Sequence, residues 1–498
     1  MSRAIGKKLN EDELFDAASE ALASGDAEKG LAILAPATRS GTRNSGLLHL
    51  HGLILRQLDR RDEAIASLRL ASELAPASAK IAHALARTLF EAGLPSLEAY
   101  GRAVRLAPAD TEVLAGMTSA CAAEGQAEGA IDGLDRLLSR SPQWVEGHSL
   151  LARLRWAQGE REQFARSFEA AVAAQPQSQL LWREWLIALM HAEQWDEARR
   201  VIAKGRAAVG DNAIFAVNEA IIAADTGDSE HAEALFAPFV DMHDPTVQVR
   251  RVRHYLRWGR PGQADSIIAN WSSQPEAFMF WPYASIAWRM LGDPRWEWLE
   301  GDDRFVGVYD IGDRLPPLDL LADKLRGLHS LNGQPLEQSL RGGTQTEGDI
   351  FMRVDPVLVK LREAVRATVA EHVAQLPEPD PTHPLLGPAR QPIGFSGSWS
   401  VWLKKSGFHA NHVHPAGWIS SALYIVLPPD LGKDQAGFLT LGDPSSPTMP
   451  VDMPPFRAVE PKIGRLALFP SYMWHGTRPF GEGERITVAF DVAVPNGR

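Results

Sequence analysis

The 498-residue sequence contains one cysteine, Cys121. No intramolecular disulfide can form, which points to a reducing compartment. Cys121 lies in the run Ser119-Ala120-Cys121-Ala122-Ala123, which reads as helix, so thiol chemistry is not expected there. Long apolar runs are missing as well: none reaches the ~18 residues that a membrane-crossing helix needs. The opening stretch, MSRAIGKKLNEDELFDAASEA, lacks the apolar core of a signal peptide. Positive charge is in deficit, and a formal net charge of −11 argues against a general affinity for nucleic acid or anionic membrane. Together these absences predict a cytoplasmic protein with no nucleic-acid and no membrane partner. What remains is ordinary for a folded protein, with 45% hydrophobic and 23% charged residues. The length allows two or three domains and more than one core.

The first three hundred residues are periodic. A turn position recurs at Gly25, Asp59, Gly93, Gly125, Gly159, Glu193, Gly227 and Gly259, at intervals of 32 or 34 residues. Five residues beyond each turn stand Gly30, Ala64, Glu98, Ala130, Phe164, Ala198, Ala232 and Ala264, mostly small residues suited to a close crossing of two helices. Prolines at 36, 76, 108, 142, 176 and 245 fit the breaks between repeats, because proline cannot continue a helix. Apolar residues between these markers keep helical spacing, as in Ala64, Leu68 and Ala71. Each unit therefore reads as two short amphipathic helices. The pattern resembles the tetratricopeptide repeat over roughly residues 10 to 290. That resemblance implies a solenoid with a concave face that holds a protein or peptide partner. Eleven of the fifteen tryptophans lie between Trp144 and Trp298, where they more readily fill gaps between helices than form a recognition stripe.

Two histidine pairs share an i, i+2 spacing, and the backbone period separates them. His49 and His51 fall in the helical region, where residues two apart diverge by about 200° and cannot share one ion. His412 and His414 precede the strand-like run WISSALYIVLPP, where an extended chain would point both rings to one side. Only the second pair reads as a candidate site.

After about residue 300 the repeat ends, which predicts domains of residues 1–300 and 301–498. The stretch GDDRFVGVYDIGDRLPPLD reads as a short strand and a proline turn, and Asp355 to Leu376 as one amphipathic helix. Strand-like runs follow: GSWSVWLKK, WISSALYIVLPP, GFLTLGDP, RLALFP and RITVAFDVAV. Short strands without intervening helices predict an antiparallel sandwich or barrel.

The segment GRLALFPSYMWHGTRPFGEGERITVAFDV adds His475 and, ten residues later, Arg485. It resembles the closing strands of the iron(II)- and 2-oxoglutarate-dependent oxygenases, which are double-stranded β-helix, or jelly-roll, enzymes. The motif His412-Val413-His414-Pro415 and the stretch Leu336 to Thr346 are similar to a bacterial subgroup of tetratricopeptide-linked oxygenases, over roughly residues 330 to 495. The resemblance implies an α + β multidomain chain, an all-α tetratricopeptide-like solenoid followed by a jelly-roll domain. It also implies Fe(II) on His412, His414 and His475, with Arg485 and Thr487 gripping the far carboxylate of the co-substrate 2-oxoglutarate. A three-ligand face leaves positions open for a keto-acid and dioxygen. Arginine's planar fork suits the remaining carboxylate. The chain departs from the superfamily at His414, where an acidic residue is usual. His409 is a substitute ligand by proximity in sequence, although i, i+3 suits an extended chain poorly. The carboxylate of Asp443 is remote in sequence.

The implied activity is a dioxygenase (hydroxylase) that couples decarboxylation of 2-oxoglutarate to succinate with hydroxylation of a protein or peptide recruited by the solenoid. Alternatives are a small-molecule hydroxylase with assembly-only repeats, a cupin-like zinc or manganese site, and a non-catalytic scaffold with a degenerate jelly roll. The sequence leaves substrate, target residue, pathway and oligomeric state open.

Overall fold

A computed structural model describes residues 9–431, 433–447 and 449–495. The first eight residues of the stretch read above for a signal peptide lie outside that range. Two compact units emerge: residues 1–130 with 348–359, and residues 131–347 with 360–498. Among the described residues no helix is long and apolar enough to cross a membrane.

The first unit is built of helical hairpins such as Ser45–Gln57 with Arg61–Leu74 and Ala79–Glu91 with Leu97–Leu106. Hairpins continue in the second unit, from Val145–Ala157 and Arg166–Ala174 to Trp281–Leu291 and Arg295–Glu300. This is the expected all-helical, tetratricopeptide-like solenoid followed by antiparallel sheets. All eight turn positions have positive φ, from 56° at Glu193 to 94° at Gly159. The next residue's N–H then reaches back into the preceding helix, as in Arg60 N–H to Leu55 O (2.9 Å) and Gln194 N–H to Leu189 O (2.9 Å). That bond covers a carbonyl the helix end would leave unpaired. Asp59 and Glu193 adopt the left-handed conformation without being glycine, at φ of 60° and 56°. Five positions on, Ala64, Phe164, Ala198, Ala232 and Ala264 are fully buried, whereas Glu98 is exposed.

One marker behaves differently from expectation. Pro36 sits inside the helix Ala27–Arg39 rather than at a break. Its own carbonyl still accepts from Ser40 N–H (3.2 Å), and the chain leaves the helix only afterwards. The two early histidines also separate: His51 Nδ1 lies 2.9 Å from Ser67 Oγ, while His49 lines a different groove.

Among the described residues the sheets of the second unit contain nine strands, β1 (Gly307–Asp310), β2 (Leu340–Gln345), β3 (Phe395–His409), β4 (Ile419–Val426), β5 (Leu439–Leu441), β6 (Arg457–Val459), β7 (Arg465–Pro470), β8 (His475–Thr477) and β9 (Arg485–Val492). Six form one antiparallel sheet in the order β1-β7-β4-β9-β3-β2, and three form a second in the order β6-β5-β8. Leu439, Leu441 and Val459 of the small sheet pack on Ala467, Phe469 and Ala422 of the large one. Two antiparallel sheets meeting over an apolar layer give the sandwich predicted from the strand pattern. The larger sheet buries Ile486, Val488, Phe490 and Val492 on its other face. Arg485, Thr487, Ala489 and Asp491 therefore face the cavity, as a period of two requires.

The helical and sheet parts of this unit share contacts. Leu336 belongs to the helical core with Trp182, Trp185 and Phe215, and three residues later Ser339 lines the cavity. Trp474 Nε1–H donates to Pro282 O (2.9 Å) and Tyr472 Oη–H to Leu299 O (2.8 Å), so the last hairpin holds the turn that leads into His475.

Candidate metal centre and the buried arginine beside it

His412, His414 and His475 come together although up to 63 residues separate them. One ring nitrogen from each lies within 4.8 Å of the other two. The backbone makes this possible: His412 and His475 pair as an isolated antiparallel bridge, with N–H···O distances of 2.9 and 3.0 Å in the two directions. His414 is held by its own N–H to Ser471 O (2.8 Å). Gly476 is obligatory beside them, because a Cβ there would stand 2.0 Å from Asn411 Oδ1 and 2.9 Å from His409 O.

The proton positions follow from the acceptors. His412 Nδ1 faces Ala410 O at 2.9 Å, His475 Nδ1 faces Met473 O at 2.8 Å, and His414 Nδ1 faces Asp491 Oδ2 at 2.7 Å. Carbonyls and carboxylates only accept, so each Nδ1 carries a hydrogen, and in a neutral ring Nε2 then keeps the lone pair. Ser339 Oγ stands 3.2 Å from His412 Nε2 and 3.1 Å from His409 Nδ1, so a hydroxyl covers the first of these lone pairs. Burial and the neighbouring His414 lower the His412 pKa to about 3, and burial with the neighbouring imidazoles puts His475 well below its ordinary value. Neutral imidazoles are the form that binds a metal.

Acid should therefore destabilise the fold. Folded His412 takes a proton only near pH 3, while an unfolded imidazole takes one near 6.5. Between those values the unfolded chain binds more protons, so this contribution is complete above pH 6.5 and is lost as pH falls toward 3. Unfolding free energies from urea titrations at about pH 7.5 and about pH 5 should fall with acid, by up to ~1.4 kcal/mol per pH unit for each such ring. His412→Gln should reduce that slope.

Arg485 is 1% exposed and lines the same cavity. Its Nη1–H donates to Gly437 O (3.1 Å) and its Nη2–H to Thr477 Oγ1 (2.9 Å), while Nε has no partner. Among the described residues no carboxylate pairs with it, and burial lowers its pKa. The Tyr424 hydroxyl, also buried and without a partner, faces the same cavity from β4, directly across from Thr487. A buried cation with an unused N–H and a neighbouring free hydroxyl has the chemistry to hold an anion.

Thr487 lines the cavity, but the hydroxyl on the guanidinium is that of Thr477. His409 stacks on His412, with ring centroids 5.9 Å apart, and stands outside the three-histidine group. Asp443 bonds the N–H of Ser445 (2.9 Å) in a turn, Arg465 pairs with Asp310 (2.8 Å), and Arg478 donates to Asp434 O (3.0 Å). Sequence reading missed Ser339, Tyr424, Thr477 and above all Asp491. Asp491 had a legible signal, since it is the one acidic residue on the Arg485-Thr487-Ala489 face of RITVAFDV.

Comparison with known families gives the same two parts. Residues 397–491 match the family described as "Putative 2OG-Fe(II) oxygenase", and residues 45–78 match the tetratricopeptide repeat. The chain thus carries one segment similar to the tetratricopeptide repeat and, in its C-terminal part, one similar to the 2OG-Fe(II) oxygenase family. No curated protein matches it. Among solved structures, a tetratricopeptide repeat protein from Parabacteroides merdae is 20% identical, covering 48% of this chain and 96% of its own, with a TM-score of 0.30. YrrB, a tetratricopeptide protein described as having an unusual peptide-binding site, is 18% identical over 37% of this chain and 92% of its own, with a TM-score of 0.30. An oxidoreductase of the 2OG-Fe(II) oxygenase family from Burkholderia pseudomallei is 16% identical over 21% of this chain and 45% of its own, with a TM-score of 0.17.

Proposed function

We propose that the chain is an Fe(II)- and 2-oxoglutarate-dependent dioxygenase that hydroxylates a protein or peptide, with residues 1–300 recruiting the substrate and residues 301–498 carrying the reaction. One observation supports this reading most. Three imidazoles each offer a ring nitrogen within 4.8 Å of the other two, beside a buried guanidinium that has no counter-charge among the described residues.

His412, His414 and His475 would hold the iron through Nε2. Arg485, with Tyr424, Thr477 and Thr487, would hold the distal carboxylate of 2-oxoglutarate. When bound, iron and 2-oxoglutarate supply dioxygen activation and the oxidative decarboxylation that drives hydroxylation of an unactivated C–H bond. The chain does the rest. Arg485 offers its free Nε–H to an anion where water is scarce, so that bond is stronger than at a surface. Ser339 must rotate its hydroxyl off His412 Nε2 before the ion can sit there. Trp399, Gln338 and Gln345 complete the wall and leave a neutral, partly aromatic space for the substrate group. The single cysteine supports a cytoplasmic location, and the repeats support a polypeptide substrate.

The test is incubation of the protein with iron, 2-oxoglutarate and a cell lysate, followed by mass spectrometry of the polypeptides. A gain of one oxygen atom that needs 2-oxoglutarate and disappears in His475→Ala is the expected result. Turnover confined to small metabolites would overturn the polypeptide reading, and absence of both metal and 2-oxoglutarate binding would leave a scaffold.

A further inference from the structure

Three neutral imidazoles bring no negative charge to a divalent ion, and the cavity already holds the cation of Arg485. Taken alone, that is a poor electrostatic setting for a metal. Among the described residues lining the cavity there is one carboxylate, Asp491. It stands behind a ligand: Oδ2 accepts from His414 Nδ1–H at 2.7 Å, and Oδ1 accepts from Ser420 Oγ–H at 2.6 Å. The β4–β9 register sets Ser420 opposite Asp491, and Ser471 Oγ lies 3.0 Å from Ser420 Oγ, so the carboxylate is fixed from both oxygens.

The three histidines are not equivalent in this respect. His412 and His475 lean on backbone carbonyls, Ala410 O and Met473 O, which are neutral. Only His414 is backed by a charge. A carboxylate on the far nitrogen of a ligating imidazole fixes the ring and makes its other nitrogen a stronger donor. We propose that Asp491 is a positioning residue that delivers, through His414, the negative charge the three-imidazole set lacks. The His414–Asp491 pair thus acts as one anionic ligand, extended by the length of a ring. This rests on the reading of the three histidines as a metal site.

The test uses the full chain and Co(II), titrated without oxygen and followed by its visible absorption and by calorimetry. Asp491→Asn keeps the shape and removes the charge, and it should weaken Co(II) binding by about 10- to 100-fold. Asp491→Glu, which keeps the charge and displaces it, should lose less, and it carries the test if the asparagine variant fails to fold. The deciding arm is the double variant His414→Asp with Asp491→Asn, which moves the carboxylate onto the ligand position. It should bind Co(II) more tightly than Asp491→Asn alone and nearly as tightly as His414→Asp alone, whereas a merely structural role would make Asp491→Asn cost as much beside His414→Asp as in the wild type. Wild-type affinity in Asp491→Asn, or no recovery in the double variant, overturns the proposal. So does tight binding by His414→Ala together with loss in Asp491→Asn, which would make Asp491 itself the ligand. If the wild-type chain binds no Co(II), the metal-site reading fails, and the inference fails with it.

Discussion

Arg485→Met is expected to abolish measurable 2-oxoglutarate binding while leaving the ligand-free protein as stable as before or more so. Both halves follow from the same burial. The guanidinium is 1% exposed and has no carboxylate partner, so in the absence of an anion it is an uncompensated charge inside the protein. Replacing such a group with an apolar side chain of similar length removes a desolvation cost, and buried ionic groups replaced in this way are often neutral or stabilising. With the anion bound, the balance reverses. Truncating one partner of a buried, hydrogen-bonded charge pair costs about 2–5 kcal/mol, roughly 30- to 5,000-fold in affinity. Thermal unfolding with and without 2-oxoglutarate reads both effects. A ligand at about 100 times the wild-type Kd should add ~2.7 kcal/mol to the wild type and no more than ~0.9 kcal/mol to the variant. A variant that melts far below wild type without ligand, or responds to 2-oxoglutarate as fully as the wild type, would contradict the assignment of Arg485 as the anion's partner.

A fragment beginning at residue 301 is expected to lose the metal site altogether. The division in sequence composition near residue 300 is not a division in packing, since one compact unit runs through it from Ile131 to Glu347. Cutting there removes Pro282 O and Leu299 O, the acceptors for buried Trp474 and Tyr472. It also removes Arg289, which donates to Gly442 O and to Pro454 O (2.8 Å). Trp298 O would be lost as well, and with it the acceptor 2.9 Å from His383 Nε2. Each buried donor left without a partner costs about 1–3 kcal/mol, and the newly exposed apolar surface adds to that. Two such donors flank the turn that ends in His475. Co(II) titration and circular dichroism of the fragment should show no binding and a loosened fold. Tyr472→Phe in the full chain removes that one donor and keeps the hairpin, so it should cost only about 1–3 kcal/mol. A soluble fragment with wild-type Co(II) affinity would show that the hairpins are separable from the site.

The repeat register was legible because it rests on local chemistry. Tight turns need a left-handed residue, glycine supplies it most cheaply, and all eight marked positions have positive φ. Pro36 was misread because the pattern gives proline's cost but not whether a neighbouring helix offsets it. His412, His414 and His475 were legible from spacing and resemblance, and β9 could be read because Arg485, Thr487 and Asp491 fall on one side of RITVAFDV and Ile486, Val488, Phe490 and Val492 on the other. The small sheet was harder to see, since β5, β6 and β8 have three residues each, too few to show a period. Ser339, Tyr424 and Thr477 reach the cavity from separate strands and a loop, and nothing adjacent to them in sequence announces it. Asp491 was the avoidable miss.

Leu336 is anchored among helices and Ser339 in the cavity wall, with only Glu337 and Gln338 between them. A three-residue step can span at most about 10–11 Å even when taut. That tether turns at residues 336–337 and bends at 338–339. Its residues can be exchanged, but a displaced leucine would carry the serine with it. Reach is what this short crossing limits.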